Sequence, residues 1–147
     1  MSNEKVSHVE EIAVDEAWRR LSQASDAVLI DVRTKSEWAF VGIADLSSIG
    51  KKPLLVEWQE FPSNRVDPDF VAKLKGALVA AGADADSQLL FICRSGGRSL
   101  MAARAMMATG YAKCANLTEG FEGPLDPQRH RGVAAGWKAR GLPWTQG

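Results

Sequence analysis

Apolar residues follow two kinds of pattern along the chain. Short continuous apolar runs occupy residues 28–30 and 89–92, and such runs are typical of strands buried on both faces of a parallel sheet. Apolar residues at helical spacing occur between and after these runs, at residues 15–23, 70–81 and 100–107. Because strands alternate with helices, we predict an α/β domain with a central, mostly parallel sheet and helices on both faces.

Capping signals predict the limits of two helices. Thr34 and Glu37 have the spacing of a capping box, which predicts a short helix after Thr34. Asp67 followed by Pro68 predicts a helix with Asp67 as its N-cap, because proline fits the first helical position. Gly82 is the expected end of that helix.

The sequence of the carboxyl-terminal half predicts three further elements of secondary structure. Ser99 is the expected cap of the helix at residues 100–107, which is apolar on nearly every side and is therefore predicted to be largely buried. Residues 112–117 are predicted to form the last strand, and residues 136–140 a short terminal helix.

Three segments give weaker signals for secondary structure. Residues 9–12 fit either a strand of the sheet or a lead into the first helix. Residues 42–50 and 54–56 contain short apolar stretches and are weaker strand candidates. Residues 1–8 are polar and are predicted to be flexible, and residues 9–147 are predicted to form a single domain.

Charge and cysteine content narrow the class of protein. Lys and Arg together number 18, as do Asp and Glu, so there is no overall basic field to attract nucleic acid or an anionic membrane. The first residues lack the pattern of a secretory signal, and no apolar stretch is long enough to span a bilayer. Two cysteines do not make a disulfide framework, so we expect a soluble protein of a reducing cytoplasm. No metal or cofactor motif is present, so no cofactor is expected; the oligomeric state is left open.

The residues that carry chemistry begin where the apolar run 89–92 ends, at Cys93. The following residues form a short loop that is rich in glycine and arginine: Arg94, Ser95, Gly96, Gly97, Arg98 and Ser99. Ligands of α/β proteins bind at the carboxyl ends of strands, and the amino end of a helix favours negative charge. We therefore expect Cys93 to be a thiolate and a nucleophile, and the glycines to let backbone N–H groups surround an anion.

The roles of three other residues are predicted from their neighbours in the sequence. Asp31 and Arg33 follow the apolar run 28–30, so a parallel sheet would bring them beside the Cys93 loop, where they are expected to support it. Cys114 has no glycine or arginine loop around it and is predicted to be a packed thiol.

Three segments resemble the single-domain rhodanese-like family. The loop from Cys93 to Ser99 resembles that family's active-site loop, and the match is specific. Residues 29–33 with Glu37 and Trp38 resemble its upstream motif, and residues 116–121 with residues 137–143 resemble its closing motif. The resemblance extends over roughly residues 9 to 144. Two features depart from the family pattern: residues 41–43 lack its histidine, and the segment from 120 to 137 is longer than usual.

The resemblance implies a fold and a reaction. The fold would be a rhodanese-like α/β domain with a central, mostly parallel five-stranded sheet. The activity would be sulfur transfer from thiosulfate or a similar donor, through a Cys93 persulfide, to a thiol or cyanide acceptor. A protein that carries a persulfide is a further partner that this reaction allows. Residues 94–99 would form the substrate-binding loop around the catalytic cysteine.

Two other functions use the same loop. A phosphatase or arsenate reductase would also need a cysteine nucleophile, but tyrosine-phosphatase-like enzymes place five residues between cysteine and arginine, and here four separate Cys93 from Arg98. The shorter loop favours a single sulfur atom over a tetrahedral phosphate. A non-catalytic binding or sulfur-carrier module is the other alternative, and it would retain its role without the thiol.

Overall fold

The computed structural model describes residues 8–146. Within that range the α-helices are α1 (Val14–Gln23), α2 (Lys35–Val41), α3 (Phe70–Ala80) and α4 (Gly97–Met107). The strands are β1 (Glu10–Ile12), β2 (Ala27–Asp31), β3 (Ile43–Ala44), β4 (Leu54–Leu55), β5 (Gln88–Ile92), β6 (Cys114–Leu117) and β7 (Trp144–Thr145). A short 3-10 helix occupies Ser47–Ile49.

Five strands form the central sheet in the order β1-β6-β5-β2-β4, and every pair in it is parallel. The register pairs Asp31 at the end of β2 with Ile92 at the end of β5. Cys93 follows Ile92 directly, so the sulfur-bearing residue lies at the carboxyl edge of the sheet. The predicted five-stranded parallel sheet is confirmed, and residues 9–12, which the sequence left open, enter it as β1.

Two apolar clusters cover the two faces of the sheet. On one face, α1 packs its buried residues Val14, Ala17 and Leu21 against the sheet. On the other face, the buried sides of α3 and α4 pack together with Cys93 and Cys114. Helices on both faces are therefore confirmed, and each buried nonpolar side chain contributes about 1.5–3 kcal/mol by leaving water.

The capping box is present, but the predicted start of α3 is wrong. Thr34 Oγ1 accepts a hydrogen bond from the Glu37 amide, and the Glu37 carboxylate accepts one from the Thr34 amide. At the predicted start of α3, the Asp67 carboxylate accepts a hydrogen bond from the Asp69 amide at 2.9 Å and so closes a turn. The regular helix begins at Phe70 instead of Pro68, with Asp69 as its N-cap.

The predicted cap and burial of α4 need correction. The helix begins at Gly97 with Gly96 as its N-cap, and the Ser99 hydroxyl lies inside the first turn. Ala102, Ala103 and Met106 are buried, whereas Met101 is 51% exposed. A helix on the outside of a sheet buries only the face that contacts the sheet, so α4 is buried on that side alone.

Two predictions for the carboxyl end are wrong. Residues 136–140 form turns, because Gly136 has a left-handed φ of +104° and the Trp137 amide donates to the carbonyl of Gly120. The strand β6 is not the last one, because β7 follows and pairs antiparallel with β3 in a small two-stranded sheet.

The predicted flexibility of residues 1–8 concerns, apart from His8, residues outside those described, and the domain boundary at residue 9 stays a prediction. Across residues 8–146, every helix is too short or too polar to cross a bilayer.

Candidate active site

The Cys93 thiol lies at the base of a small cavity formed by its own loop. The cavity measures ≈170 Å³ and is lined by Cys93, Arg94, Ser95, Gly97 and Arg98. The residue is only 1% exposed, so the cavity is the route by which a reagent would reach the sulfur. Two donors meet Sγ at 3.2 Å: the Gly96 amide and the Ser99 hydroxyl. Hydrogen-bond donors at a sulfur atom stabilise negative charge on it.

Gly96 gives the loop its shape. Its φ of +103° is left-handed, and a Cβ at this position would lie 2.5 Å from the Thr118 carbonyl oxygen. Only glycine fits both conditions. The turn directs the Gly96 amide back to Sγ, and it leaves the amides of Arg94 and Ser95 without an acceptor within residues 8–146.

The segment after β6 holds the Cys93 loop through backbone hydrogen bonds. The Phe121 amide donates to the Cys93 carbonyl at 2.8 Å, and the amides of Glu122 and Gly123 donate to the Arg94 carbonyl at 3.0 and 3.1 Å. Gly120 makes this approach possible, because a Cβ there would lie 2.4 Å from the Arg94 carbonyl oxygen. The position of Cys93 therefore depends on backbone contacts with a segment that is distant in sequence.

Asn116 on β6 connects Ser99 to the rest of the sheet. Its Nδ2 donates to the Glu11 carboxylate at 3.0 Å and to the Gly96 carbonyl at 3.1 Å. Its Oδ1 therefore faces Ser99 and accepts a hydrogen bond from the hydroxyl. A hydroxyl has one proton, so Ser99 donates either to Asn116 or to Cys93 Sγ, and not to both at once.

The two arginines of the loop have different surroundings. Arg98 donates to both carboxylate oxygens of Glu37, at 2.6 and 2.9 Å. These hydrogen bonds raise the pKa of Arg98 against the opposing effect of burial. Burial acts to raise the pKa of Glu37, but the hydrogen bonds from Arg98, its charge and the Thr34 amide outweigh burial and lower that pKa. Arg94 is exposed and has no ion pair among residues 8–146.

Asp31 and Arg33 form a buried ion pair at the end of β2. The guanidinium contacts the Asp31 carboxylate at 2.7 Å and donates to the Gly42 carbonyl at 2.7 Å. It also lies 4.3 Å from the centre of the Phe121 ring. The pair therefore packs against the residue whose amide holds the Cys93 carbonyl, and it does not line the cavity at Cys93.

A second and larger cavity, of ≈850 Å³, shares Arg94 and Arg98 with the first. Its lining includes Phe40, Phe61 and Arg131, none of which was a predicted site residue. All three lie outside the motifs that signal a cysteine loop.

Glu37 and Asn116 have contacts in the site that the sequence does not predict. Glu37 was assigned to a helix cap, which it forms, but its carboxylate also binds Arg98. Asn116 was one residue of a predicted strand, and a buried amide inside an apolar strand was the signal that a hydrogen-bond partner is required.

Cys114 is a packed thiol, as predicted. It is 3% exposed, and its Sγ lies 3.2 Å from the Tyr111 carbonyl oxygen. Burial raises the pKa of this thiol to about 12. Cys114 therefore stays protonated at physiological pH and serves as an internal comparison for Cys93.

Known proteins share this fold and much of this sequence. The family model of the rhodanese-like domain matches residues 13–124. The crystal structure of Rv0390 from M. tuberculosis is 40% identical, has a TM-score of 0.84 and aligns over 96% of this chain and 100% of that chain. An uncharacterized protein, the RP600 homolog of Rickettsia rickettsii, is 33% identical over 136 residues, which cover 92% of this chain and 97% of the relative.

A protein named sulfurtransferase from Allochromatium vinosum is 26% identical over 135 residues, covering 92% of this chain and 94% of that protein. The family match covers most of the chain, and the relatives align over nearly their full lengths. The chain therefore belongs to the rhodanese-like domain family.

Proposed function

We propose that the protein is a sulfurtransferase that carries sulfane sulfur on Cys93, with thiosulfate or a similar small anion as donor. The observation that carries this proposal is the geometry at Cys93 Sγ: the Gly96 amide and the Ser99 hydroxyl both lie 3.2 Å from it, and Cys93 and its loop line a ≈170 Å³ cavity. Membership of the rhodanese-like family and the relative named sulfurtransferase support the same reaction.

The first half-reaction loads the cysteine. The Cys93 thiolate attacks the outer sulfur of thiosulfate, the sulfur–sulfur bond of the donor breaks, and sulfite leaves with the electron pair. The new outer sulfur of the persulfide carries the negative charge and lies among the residues of the loop. Arg94 is exposed at the cavity and supplies positive charge for the entering dianion.

The second half-reaction releases the sulfur. An acceptor thiolate or cyanide attacks the outer sulfur, and the bond to Cys93 breaks with its electron pair returning to Sγ. Gly96 and Ser99 then stabilise the leaving thiolate, as donors stabilise charge that develops in a transition state. No proton transfer is needed at the sulfur, which agrees with a cavity lining that contains neither His8 nor His130.

The setting of Arg98 weighs against a phosphatase or arsenate reductase. Those reactions need a guanidinium that faces the oxygen atoms of the substrate, whereas both terminal nitrogens of Arg98 already bind Glu37. Comparing phosphate-ester hydrolysis with thiosulfate turnover tests this alternative directly.

Intact mass spectrometry after incubation with thiosulfate tests the proposal. We expect a gain of one sulfur atom that cyanide removes, because cyanide is an acceptor in the second half-reaction. Cys93→Ser should show no gain, and the matched variant Cys114→Ser should gain sulfur like the natural chain. An adduct that persists in Cys93→Ser, or no adduct in the natural chain, contradicts the proposal. A non-catalytic docking module would retain its binding in Cys93→Ser.

A further inference from the structure

A larger cavity lies beside the active site, and the loading reaction does not use it. Its volume of ≈850 Å³ falls within the range of about 300–1,000 Å³ that is typical of small-molecule sites. Arg94 and Arg98 line both this cavity and the one that holds Cys93. A second molecule in the larger cavity would therefore lie next to the outer sulfur of a Cys93 persulfide.

The charges along this cavity favour an anion. Arg98 and Glu37 neutralise each other in their ion pair. Arg131 donates to the Gly123 carbonyl at 2.8 Å, which holds its guanidinium in place without cancelling its charge. Within residues 8–146, neither Arg94 nor Arg131 has a carboxylate partner, and Glu122 is the remaining acid of the lining. The balance is positive, and the planar guanidinium of arginine binds a carboxylate through two parallel hydrogen bonds.

The same cavity also offers two exposed aromatic rings. Phe40 on α2 is 79% exposed and Phe61 is 65% exposed, and both line the cavity. Phenylalanine rings with this much exposed surface gain free energy when a ligand covers them, especially a flat one that stacks. The lining therefore combines positive charge with aromatic surface.

We propose that this cavity binds the sulfur acceptor, and that the acceptor is a small thiol with both a carboxylate and an apolar, flat body. The proposal rests on the proposed sulfur transfer. The carboxylate would contact Arg131, the apolar body would contact Phe40 and Phe61, and the thiolate would reach the persulfide. It attacks the outer sulfur, the bond to Cys93 Sγ breaks with its electron pair going to Sγ, and the acceptor leaves as a persulfide.

A set of four thiols tests the two parts of the site separately. Mercaptoethanol has neither group, mercaptopropionate has the carboxylate, benzyl thiol has the ring, and mercaptomethylbenzoate has both. Protein loaded with thiosulfate is mixed with each thiol, and kcat/KM for sulfur release is measured. Ratios between thiols are then compared among variants, so that the intrinsic reactivity of each thiol cancels.

We expect Arg131→Gln to reduce the preference for mercaptomethylbenzoate over benzyl thiol by roughly threefold to tenfold. Phe61→Ala should reduce the preference for benzyl thiol over mercaptoethanol by roughly twofold to tenfold. The matched controls are Arg129→Gln and Leu125→Ala, which change an exposed arginine and an exposed leucine outside the cavity lining. Both controls should leave the ratios unchanged.

The outcomes separate this proposal from the proposed function. If the protein gains no sulfur from thiosulfate, the sulfurtransferase assignment is wrong and the acceptor site fails with it. If sulfur is gained and released, but Arg131→Gln and Phe61→Ala leave the ratios at those of the natural chain, only the acceptor site is wrong.

Discussion

At the scale of single residues, the site depends on which acceptor receives the one proton of the Ser99 hydroxyl. Asn116 Oδ1 and Cys93 Sγ are both within hydrogen-bond distance of Ser99 Oγ. A thiol can donate its own proton to Ser99, which leaves the hydroxyl free to bind Asn116. A thiolate accepts from the hydroxyl, so in the proposed reaction the Ser99 proton would turn toward sulfur when negative charge returns to Sγ.

Removing the hydroxyl should therefore slow the release half-reaction. We expect Ser99→Ala to reduce the rate of sulfur release to an acceptor by roughly 10- to 100-fold, because a hydrogen bond to the leaving thiolate is lost. Stopped-flow mixing of preloaded protein with cyanide measures this rate directly. The variant should also lose about 1–3 kcal/mol of unfolding free energy, because Asn116 Oδ1 is left buried without its donor.

Ser22→Ala is a control for this prediction, because Ser22 is exposed and hydrogen-bonds only within α1. It should leave the release rate unchanged. A Ser99→Ala protein that releases sulfur as fast as the natural chain would show that Ser99 does not stabilise the leaving thiolate.

At the scale of elements, the loop between β5 and α4 is positioned by the turn that follows β6. Three amides of residues 121–123 bind the carbonyls of Cys93 and Arg94, and Gly120 allows the two backbones to approach. The two loops can lie this close together because residue 120 has no side chain.

Gly120→Ala should displace the loop and reduce both stability and sulfur loading. Gly120 has φ of +71°, and the added Cβ would meet the Arg94 carbonyl oxygen at 2.4 Å. We expect a loss of about 2–5 kcal/mol of unfolding free energy, measured by denaturant unfolding, and loading that is at least roughly tenfold slower.

Gly82→Ala separates backbone strain from the contact. Gly82 has a similar φ of +78°, but a Cβ there meets nothing within 4 Å. It should lose only about 1–2 kcal/mol and load sulfur normally. Equal losses in the two variants would mean that the contact with Arg94 contributes nothing.

Much of the central sheet could be predicted, because its buried strands are continuous apolar runs with helical periodicity between them. The short strands could not be assigned with the same ease. β7 has two residues, and its partner β3 lies far away in sequence, so no local pattern marks it. The start of α3 was misplaced because Asp67 satisfies a turn before the helix, a choice that the sequence pattern Asp-Pro does not distinguish.

The candidate site, like the fold, could be predicted only in part. The Cys93 loop could be recognised because glycine, arginine and cysteine lie together in sequence. The residues that hold the loop, such as Asn116 and Phe121, come from other elements, and only the order of the strands brings them to it. Glu37 is one residue with two roles, and its sequence position predicts the cap but not the ion pair with Arg98.

At the scale of the whole molecule, the ion pair of Glu37 and Arg98 joins α2 to α4 across the carboxyl edge of the sheet. The pKa of Glu37 is lowered in the folded protein, because the hydrogen bonds and charge of Arg98 outweigh burial. An unfolded glutamate titrates near about pH 4.3. The stabilisation is therefore fully present above that pH and is lost as the pH falls through the lower, folded-state pKa.

Glu37→Gln should lower the Tm at about pH 6, and the difference from the natural chain should shrink as the pH is lowered toward about 3. The glutamine side chain has the shape of glutamate but carries no charge, so lowering the pH does not change its charge. Glu60→Gln is the control, because Glu60 is exposed and has no ion pair among the described residues. Thermal unfolding at several pH values measures the difference; a gap for Glu37→Gln that is independent of pH would contradict the prediction.

The amide bonds from Phe121, Glu122 and Gly123 to the Cys93 loop also have a consequence during synthesis. Cys93 precedes these three residues in the chain, so its loop can reach its folded form only after they have been synthesised and have packed against it, and β1 likewise waits for β6. Until then the Cys93 loop lacks the contacts that fix it in the folded protein. A stalled or prematurely terminated product lacking this segment would contain the cysteine without the scaffold that holds it.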